Sequence, residues 1–257
     1  MFSGPVSSLK TSLATSGMPT YTATLNRFEV KYLVATRRVP DFLRELGEYT
    51  TPDPHDLAGR GYGILSIYWD TADWRLFWEK VEGLKFRRKL RFRRYGDSKD
   101  VMIEVKQRED RTVQKRRASW PLARLREAFP VGGRPNWDAV GEDPVGTEAV
   151  LMIERLHLAP RMAVLYRRRA LFGAFDPELR ITLDSRIQYS TTALDLGQPL
   201  ETGKYVMDPR VTVLEVKYNH RAPVWFSKVA RRHELSMVRM SKYCTAVDKA
   251  FFGHQLT

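Results

Sequence analysis

The stretch Leu84–Lys106, LKFRRKLRFRRYGDSKDVMIEVK, limits what this chain can fold into more than any other. It reads as two strands joined by a polar turn at Gly96-Asp97-Ser98. Successive side chains of a strand point to opposite faces. One face of the first strand therefore carries Lys85, Arg87, Lys89, Arg91 and Arg93, and the other Leu84, Phe86, Arg88, Leu90 and Phe92. The second strand divides in the same way, with Val101, Ile103 and Val105 on one side and Met102, Glu104 and Lys106 on the other. A row of five like charges repels itself unless anions sit among them, and burying it unpaired is very costly. The apolar face calls for a cover of helices. The cationic face must look onto solvent or onto a cavity holding a polyanion.

Charge points the same way. The chain has 43 Lys+Arg against 30 Asp+Glu, a net charge of +13, which implies an anionic partner: nucleic acid, a membrane surface or phosphorylated small molecules. Its 257 residues can bury a sizeable core, and a single domain over residues 25–257 is expected behind a flexible N-terminal lead, residues 1–24. The first 20 residues are rich in Ser, Thr, Gly and Pro and lack the apolar core of a signal peptide. Cys244 is the only cysteine, so no intrachain disulfide or cysteine-based metal site is expected, which fits a reducing, cytoplasmic setting. No run of about 18 apolar residues is present, so no transmembrane helix is predicted.

Leu25–Val34 reads as a first strand, with Thr36 placed to cap a helix running to about Tyr49. Thr51–Gly63 is a loop by its Pro and Gly content. Tyr62–Trp69 is a buried strand, and Asp70 and Thr71 start an aromatic-rich helix over Asp73–Glu82. After the basic hairpin comes a third basic strand, Thr112–Trp120, with Lys115 and Arg117 on one face and Arg116 on the other. Helices are predicted over Pro121–Phe129 and Gly146–Leu158, and strands over Met162–Phe172, Leu179–Ile187 and Val211–Tyr218. Ser190–Tyr205 reads as a loop or ragged hairpin, and helices over Trp225–Glu234 and Ser241–Phe252 close the chain. Such a series predicts an α+β fold: an antiparallel sheet of about eight strands closed into a barrel, with helices packed outside.

The tripeptide Glu-Val-Lys recurs at Glu29–Lys31, Glu104–Lys106 and Glu215–Lys217, each time within a predicted strand. In a strand the Glu and Lys share a face while the Val points to the apolar side. One copy is ordinary cross-strand charge pairing on a solvated face. Recurrence beside the cationic row favours a shared polar interior.

The motifs RFEVKY (Arg27–Tyr32), KLRFR (Lys89–Arg93), IEVKQRED (Ile103–Asp110), QKRR (Gln114–Arg117), LYRRRALF (Leu165–Phe172), LRITLD (Leu179–Asp184), LEVKY (Leu214–Tyr218) and SKY (Ser241–Tyr243) run in one order from residue 25 onward. This set resembles the VTC domain, a polyphosphate polymerase family of the CYTH, or triphosphate tunnel metalloenzyme, superfamily. The resemblance implies an antiparallel tunnel barrel in which a divalent metal, Mn²⁺ or Mg²⁺, helps transfer the γ-phosphate of ATP to inorganic polyphosphate. It implies catalytic roles for Lys31, Arg91, Arg93, Lys106, Arg168 and Glu215, with Glu215 as the metal ligand. It implies phosphate or substrate contacts for Glu29, Lys89, Glu104, Lys115, Arg117, Tyr166, Arg180, Lys217, Ser241 and Lys242. The pairs Arg91/Arg93, Tyr166/Arg168 and Arg180/Thr182 are each spaced to face one lumen. Ser241 stands where the last helix should begin, a position suited to binding an anion.

The chain departs from the superfamily at one point. Its hydrolases begin with Glu-x-Glu-x-Lys, but here Arg27 takes the first position, leaving Glu29 before Lys31. One carboxylate fewer favours the polymerase branch over a two-metal triphosphatase, which is the alternative reading. A non-catalytic polyphosphate-binding module is a further one. A sequence-specific nucleic-acid binder is disfavoured, because it would present a basic face without interleaved carboxylates. Export of product through a membrane would need a separate partner. No P-loop sequence occurs, and GRGYG (Gly59–Gly63) precedes a strand instead of following one. His157 and His233 read as ordinary structural residues, and Trp69, Trp74, Phe77 and Trp78 as core packing ahead of a nucleobase stack.

Overall fold

The computed structural model describes residues 22–23, 27–56, 59–110, 112–197 and 203–253. Its framework is eight long strands: β1 (Arg27–Ala35), β2 (Tyr62–Asp70), β3 (Phe86–Tyr95), β4 (Asp100–Glu109), β5 (Thr112–Pro121), β6 (Ala159–Gly173), β7 (Arg180–Ser190) and β8 (Val211–Asn219). All pairings are antiparallel, in the order β5-β4-β3-β2-β6-β7-β8-β1. The helices are α1 (Val39–Leu46), α2 (Arg75–Val81), α3 (Leu122–Ala128), α4 (Trp137–Val140), α5 (Pro144–Leu156), α6 (Val224–Arg232) and α7 (Lys242–Val247). The expected N-terminal lead lies outside the described residues except for Thr22 and Ala23.

The sheet is not closed by direct pairing of its outermost strands, which corrects the expectation of a closed barrel. It curls towards closure through its own chain. Thr22 and Ala23 pair with Lys115 and Gln114 of β5, and β1 begins four residues after Ala23. With about 3.8 Å between consecutive Cα atoms, that span is at most ~15 Å, so the two edges are held close together. The free edge of β1 is met in turn by Val238, whose N–H donates to the Lys31 carbonyl at 2.8 Å.

The alternation read from the sequence sorts the strand faces. Outward-facing Leu90, Phe92, Ile103, Val105 and Trp120 form one core with residues of α3 and α5. Outward-facing Tyr32, Val34, Ile181, Leu183, Leu214 and Val216 form another with Phe42 and Leu46 of α1 and Phe226 and Val229 of α6. Against the first core, α5 lies so close to β5 that a Cβ on Gly146 would stand 2.5 Å from the Trp120 ring. The Trp120 indole N–H also donates at 3.1 Å to Asp143, the residue that caps α5. Trp120→Ala is expected to cost about 3–5 kcal/mol, the range for emptying such a site. A thermal unfolding curve displaced by only a degree or two would contradict this.

One end of the curl is filled from within. Inward-facing Ile64, Tyr68, Met162, Val164, Ile187 and Val213 pack with Phe77 of α2 and with Tyr243, Cys244 and Val247 of α7. Ile187 and Tyr189 reach this inner face because the β6–β7 register shifts beside Arg186, which has φ 50°. The last helix thus lies inside the sheet, against the expectation that all helices pack outside. Asp70 fastens it: its carboxylate accepts from the N–H groups of Thr71, Leu76 and Phe77 and from the Tyr243 hydroxyl.

Local expectations failed at a few points. Thr36 does not cap a helix: a 3₁₀ turn over Thr36–Arg38 precedes α1, and the Thr36 hydroxyl bonds that of Thr212 at 3.0 Å. The loop after residue 50 contains a short strand, Thr50–Pro52, paired with β6, and Lys204–Tyr205 pairs with β7. The helix α4 was not foreseen. The final helix is α7 followed by a π turn, Asp248–Phe252.

Candidate active site

Two charge clusters line the inner face of the curl. The first stands on β2 to β5 around Glu104, which is only 2% exposed. Arg91 Nε donates to Glu104 at 2.6 Å, Arg93 lies 3.7 Å from the same oxygen, and Lys115 pairs with the other oxygen. Burial opposes the Glu104 charge, but Arg91, Arg93 and Lys115 outweigh it and hold the carboxyl well below its usual range. Arg93 also donates to Ser66 at 2.9 Å, and Arg91 to the Tyr68 hydroxyl at 3.1 Å. Glu104 thereby fixes two guanidinium groups in the lumen without neutralising the set.

The second cluster stands on β1, β6, β7, β8 and α7. Asp184, 0% exposed, receives two hydrogen bonds of 2.7 Å from Arg168 and one contact of 2.6 Å from Lys242. Arg168 and Lys242 both lie over the Tyr166 ring, at 5.3 and 5.0 Å. Glu215 lies 2.5 Å from Lys217 and 3.6 Å from Lys31, while Glu29 lies 2.9 Å from Lys31 and 3.6 Å from Lys217. The two glutamates therefore share two lysines. Burial works against the Glu215 charge, but Lys217, Lys242, Lys31 and Arg168 keep it ionised. Arg180 meets Asp53 at 3.4 Å near one mouth of the lumen.

At the other end Lys89 donates to Ser241 at 3.2 Å, and Lys31 to the Met240 carbonyl at 2.9 Å. Ser241 is the N-cap of α7, and its oxygen accepts from the Cys244 N–H. That oxygen accepts from its own helix and from Lys89, which leaves the hydroxyl hydrogen as the donor Ser241 can offer at this helix start. Lys80 of α2 joins the same end; burial, then the charges of Arg87 and Lys89, lower its proton affinity.

Lys106 connects the two walls, since Glu29, Lys89, Lys217 and Arg91 all act on its charge. Its side chain is exposed, but enclosure by protein, with Lys89, Lys217 and Arg91 added, lowers its pKa to about 8. Lys115 is lowered to about 8 as well, chiefly by burial. Both ammonium groups lose their proton in the free protein as pH rises through 8. Tripolyphosphate affinity, measured by calorimetry, is therefore expected to weaken between pH 7 and 9.5, with protons taken up on binding in that range. The stability effect has the opposite sign: the cost of holding these lysines charged is relieved as pH rises from about 8 towards their ordinary range.

Arg117, also expected at the site, lies across from Glu104 in register and is exposed, as Lys106 and Glu29 are. Lys85 of the cationic row precedes β3. Asp184, Ser66, Tyr68 and Lys80 were not assigned roles from the sequence. Asp184 was visible as the inward partner of Arg180 and Thr182 at i+2 spacing. The outward residues behave as predicted: Arg116 pairs with Glu148 of α5, and Arg167 donates to the carbonyls of Arg60 and Gly61. His157 ends α5 with φ 52°, and His233 bonds Glu45 at 2.8 Å. Trp69 packs on Phe92 and Phe129, while Trp74, Phe77 and Trp78 pack on Phe251 and Phe252.

Among the described residues no group of three or more His, Cys, Asp or Glu is arranged to hold a metal ion. Glu215 and Glu29 still fit a divalent ion of the kind that takes one or two carboxylates and completes its shell with phosphate oxygens and water. No helix among the described residues is long and apolar enough to cross a membrane.

The family model of the VTC domain matches residues 26–251. No curated protein matches the chain at a significant level. Among solved structures, a provisionally assigned adenylate cyclase from Bacillus halodurans is 15% identical, with 89% of this chain and 100% of that one covered and a TM-score of 0.49. A provisionally assigned adenylyl cyclase from Hippeastrum, described as having a dominant triphosphatase activity, is 13% identical over 88% of this chain and 96% of its own, with a TM-score of 0.46.

Proposed function

This chain belongs to the VTC domain family, and we propose that it is a metal-dependent phosphotransferase that moves the γ-phosphate of ATP onto a growing inorganic polyphosphate chain inside the curled sheet. One observation carries this reading. Among the described residues, ten cations, Lys31, Lys89, Arg91, Arg93, Lys106, Lys115, Arg168, Arg180, Lys217 and Lys242, meet five carboxylates, Glu29, Glu104, Asp184, Glu215 and, at one mouth, Asp53. The excess of five positive charges is the complement of a multiply charged phosphate chain, and an isolated protein holds it only at an electrostatic cost.

Phosphoryl transfer needs positioning and charge stabilisation more than a protein nucleophile. The attacking group in this reading is a phosphate oxygen of the acceptor. Arg91, Arg93 and Arg168, their guanidinium groups oriented by Glu104 and Asp184, offer bidentate contacts to phosphate oxygens. Lys31, Lys106 and Lys242 add mobile point charges. A divalent ion beside Glu215 and Glu29, Mn²⁺ or Mg²⁺, would supply further neutralisation of charge on the transferred group.

Incubating the protein with ATP and Mn²⁺ or Mg²⁺ and resolving products by gel and phosphorus NMR tests the proposal. Long phosphate chains plus ADP are expected. Free phosphate released from tripolyphosphate without chains would support the second reading, a triphosphatase. The second reading is favoured by α7, which fills one end of the lumen, so a growing chain must leave by the mouth through which ATP enters. Tight polyphosphate binding without turnover would leave a binding module, and sequence-dependent DNA affinity would overturn all three. Passage of product across a membrane is assigned to a separate partner.

A further inference from the structure

We propose that Thr182 is a phosphate-binding residue, and that its hydroxyl, the Arg180 Nε–H and the Lys217 ammonium form a subsite for one phosphate group beside Glu215. This rests on the reading above and gives a role to a residue that the sequence placed on the lumen face without one.

Thr182 lies on the inner face of β7, between Arg180 and Asp184, opposite Glu215 of β8 and Ala170 of β6. It is 2% exposed, and its hydroxyl oxygen has no hydrogen-bond partner among the described residues. Two residues away on the same face, Arg180 Nε is also buried without a partner, because Asp53 engages only the terminal nitrogen. Buried polar atoms are nearly always bonded, and each orphan costs ~1–3 kcal/mol. Unlike the orphaned Nε atoms of Arg88 and Arg94 on the outer face of β3, these two stand on the lumen face, where an anion can supply the acceptor.

The fold itself does not need the hydroxyl. Valine has the same shape and at least the same preference for strands, so a purely structural position here would be better served without the oxygen. The neighbours identify the acceptor. Arg180 faces Lys217 across the β7–β8 pair, and the Lys217 ammonium also lies 2.5 Å from Glu215 on its own strand and 3.6 Å from Glu29, its partner on β1. The Arg180 Nε–H and the Lys217 ammonium are cationic and can only donate, and the Thr182 hydroxyl can donate, so an anion suits all three groups where a metal ion would suit the hydroxyl alone. A phosphate group bound by them would stand next to Glu215, the carboxylate assigned above to the divalent ion.

The test compares the wild type with Thr182→Val and Thr182→Ser. Inorganic tripolyphosphate binding is measured by calorimetry at fixed salt, and thermal unfolding without ligand. Thr182→Val is expected to melt no lower than wild type, since its hydroxyl has no partner to lose, yet to bind about 10-fold more weakly, the loss of one hydrogen bond to a charged group. Thr182→Ser should bind within about threefold of wild type. Binding by Thr182→Val equal to that of a wild type that does bind would overturn the inference and leave the proposed function intact. A clearly lower melting temperature for Thr182→Val would also overturn it, by revealing a structural partner. A wild type that binds no tripolyphosphate would remove the proposed function, and this subsite with it.

Discussion

Glu215→Gln is expected to lower turnover by ~10²-fold or more, the scale for losing a preorganised charge at a reacting group, while tripolyphosphate binds at least as tightly. Glu215 stands between Lys217 and Lys31, with the charges of Lys242 and Arg168 also bearing on it. Glutamine keeps the shape but removes the negative charge that would help hold a divalent ion. It also leaves the lumen one unit more positive, which favours a polyanion. In the free protein Lys31 and Lys217 keep Glu29 as a partner, so a moderate loss of stability should be recovered when tripolyphosphate is added. Parallel loss of turnover and binding would show that Glu215 orders the lumen and does not act in the reaction. Unchanged turnover would remove it from the site.

Asp184→Asn should produce the largest loss of stability among changes in the lumen. Its carboxylate is fully buried and holds both Arg168 and Lys242, so neutralising it takes the directly bonded counter-charge from two enclosed cations and leaves them the field of Glu215. Breaking a buried pair in this way costs about 3–5 kcal/mol. Loosening Arg168 and Lys242 should also cost ~10²-fold in kcat/KM through lost positioning. Although burial raises its pKa, Lys242 and Arg168 outweigh that and lower it below the ordinary value. Its stabilisation is therefore complete above about pH 4 and is lost as pH falls through the depressed value. Chemical denaturation of wild type and variant from pH 7 downward should show a constant gap that closes only in acid. A variant as stable as the wild type at pH 7 would mean that Arg168 and Lys242 find other partners.

Much of this lumen was legible in the chain. The inward positions of Arg91, Arg93, Glu104, Lys106, Tyr166, Arg168, Arg180, Glu215 and Lys217 follow from strict alternation along strands that were themselves well marked. Where the reading failed, the deciding contact was distant in sequence. Thr36 has the composition of a cap but bonds Thr212, 176 residues away. Ser241 begins a helix as read, but the contact of its oxygen with Lys89, 152 residues away, could not be read. The apolar pattern of the last helix showed that it is buried without showing that it is buried inside the sheet, because an inner and an outer apolar surface look alike in one dimension. The near-closure of the curl rests on a two-residue pairing, Thr22 and Ala23 with β5, too short to carry any periodic signal.

The sequence by itself determined that most of the long strands have a charged face and an apolar one, the buried strand β2 excepted. Alternation is a property of the extended backbone and needs no neighbour. It also determined the sign of the charge those polar faces carry, since inward cations outnumber the carboxylates beside them. Only the tertiary structure decided which charges neutralise one another and which remain unmet. Asp184 is spent on Arg168 and Lys242, Glu104 on Arg91 and Lys115, whereas the Thr182 hydroxyl and Arg180 Nε have no partner among the described residues. Coulomb and hydrogen-bond energies depend on distances of a few ångströms between strands far apart in the chain, and curling the sheet sets those distances.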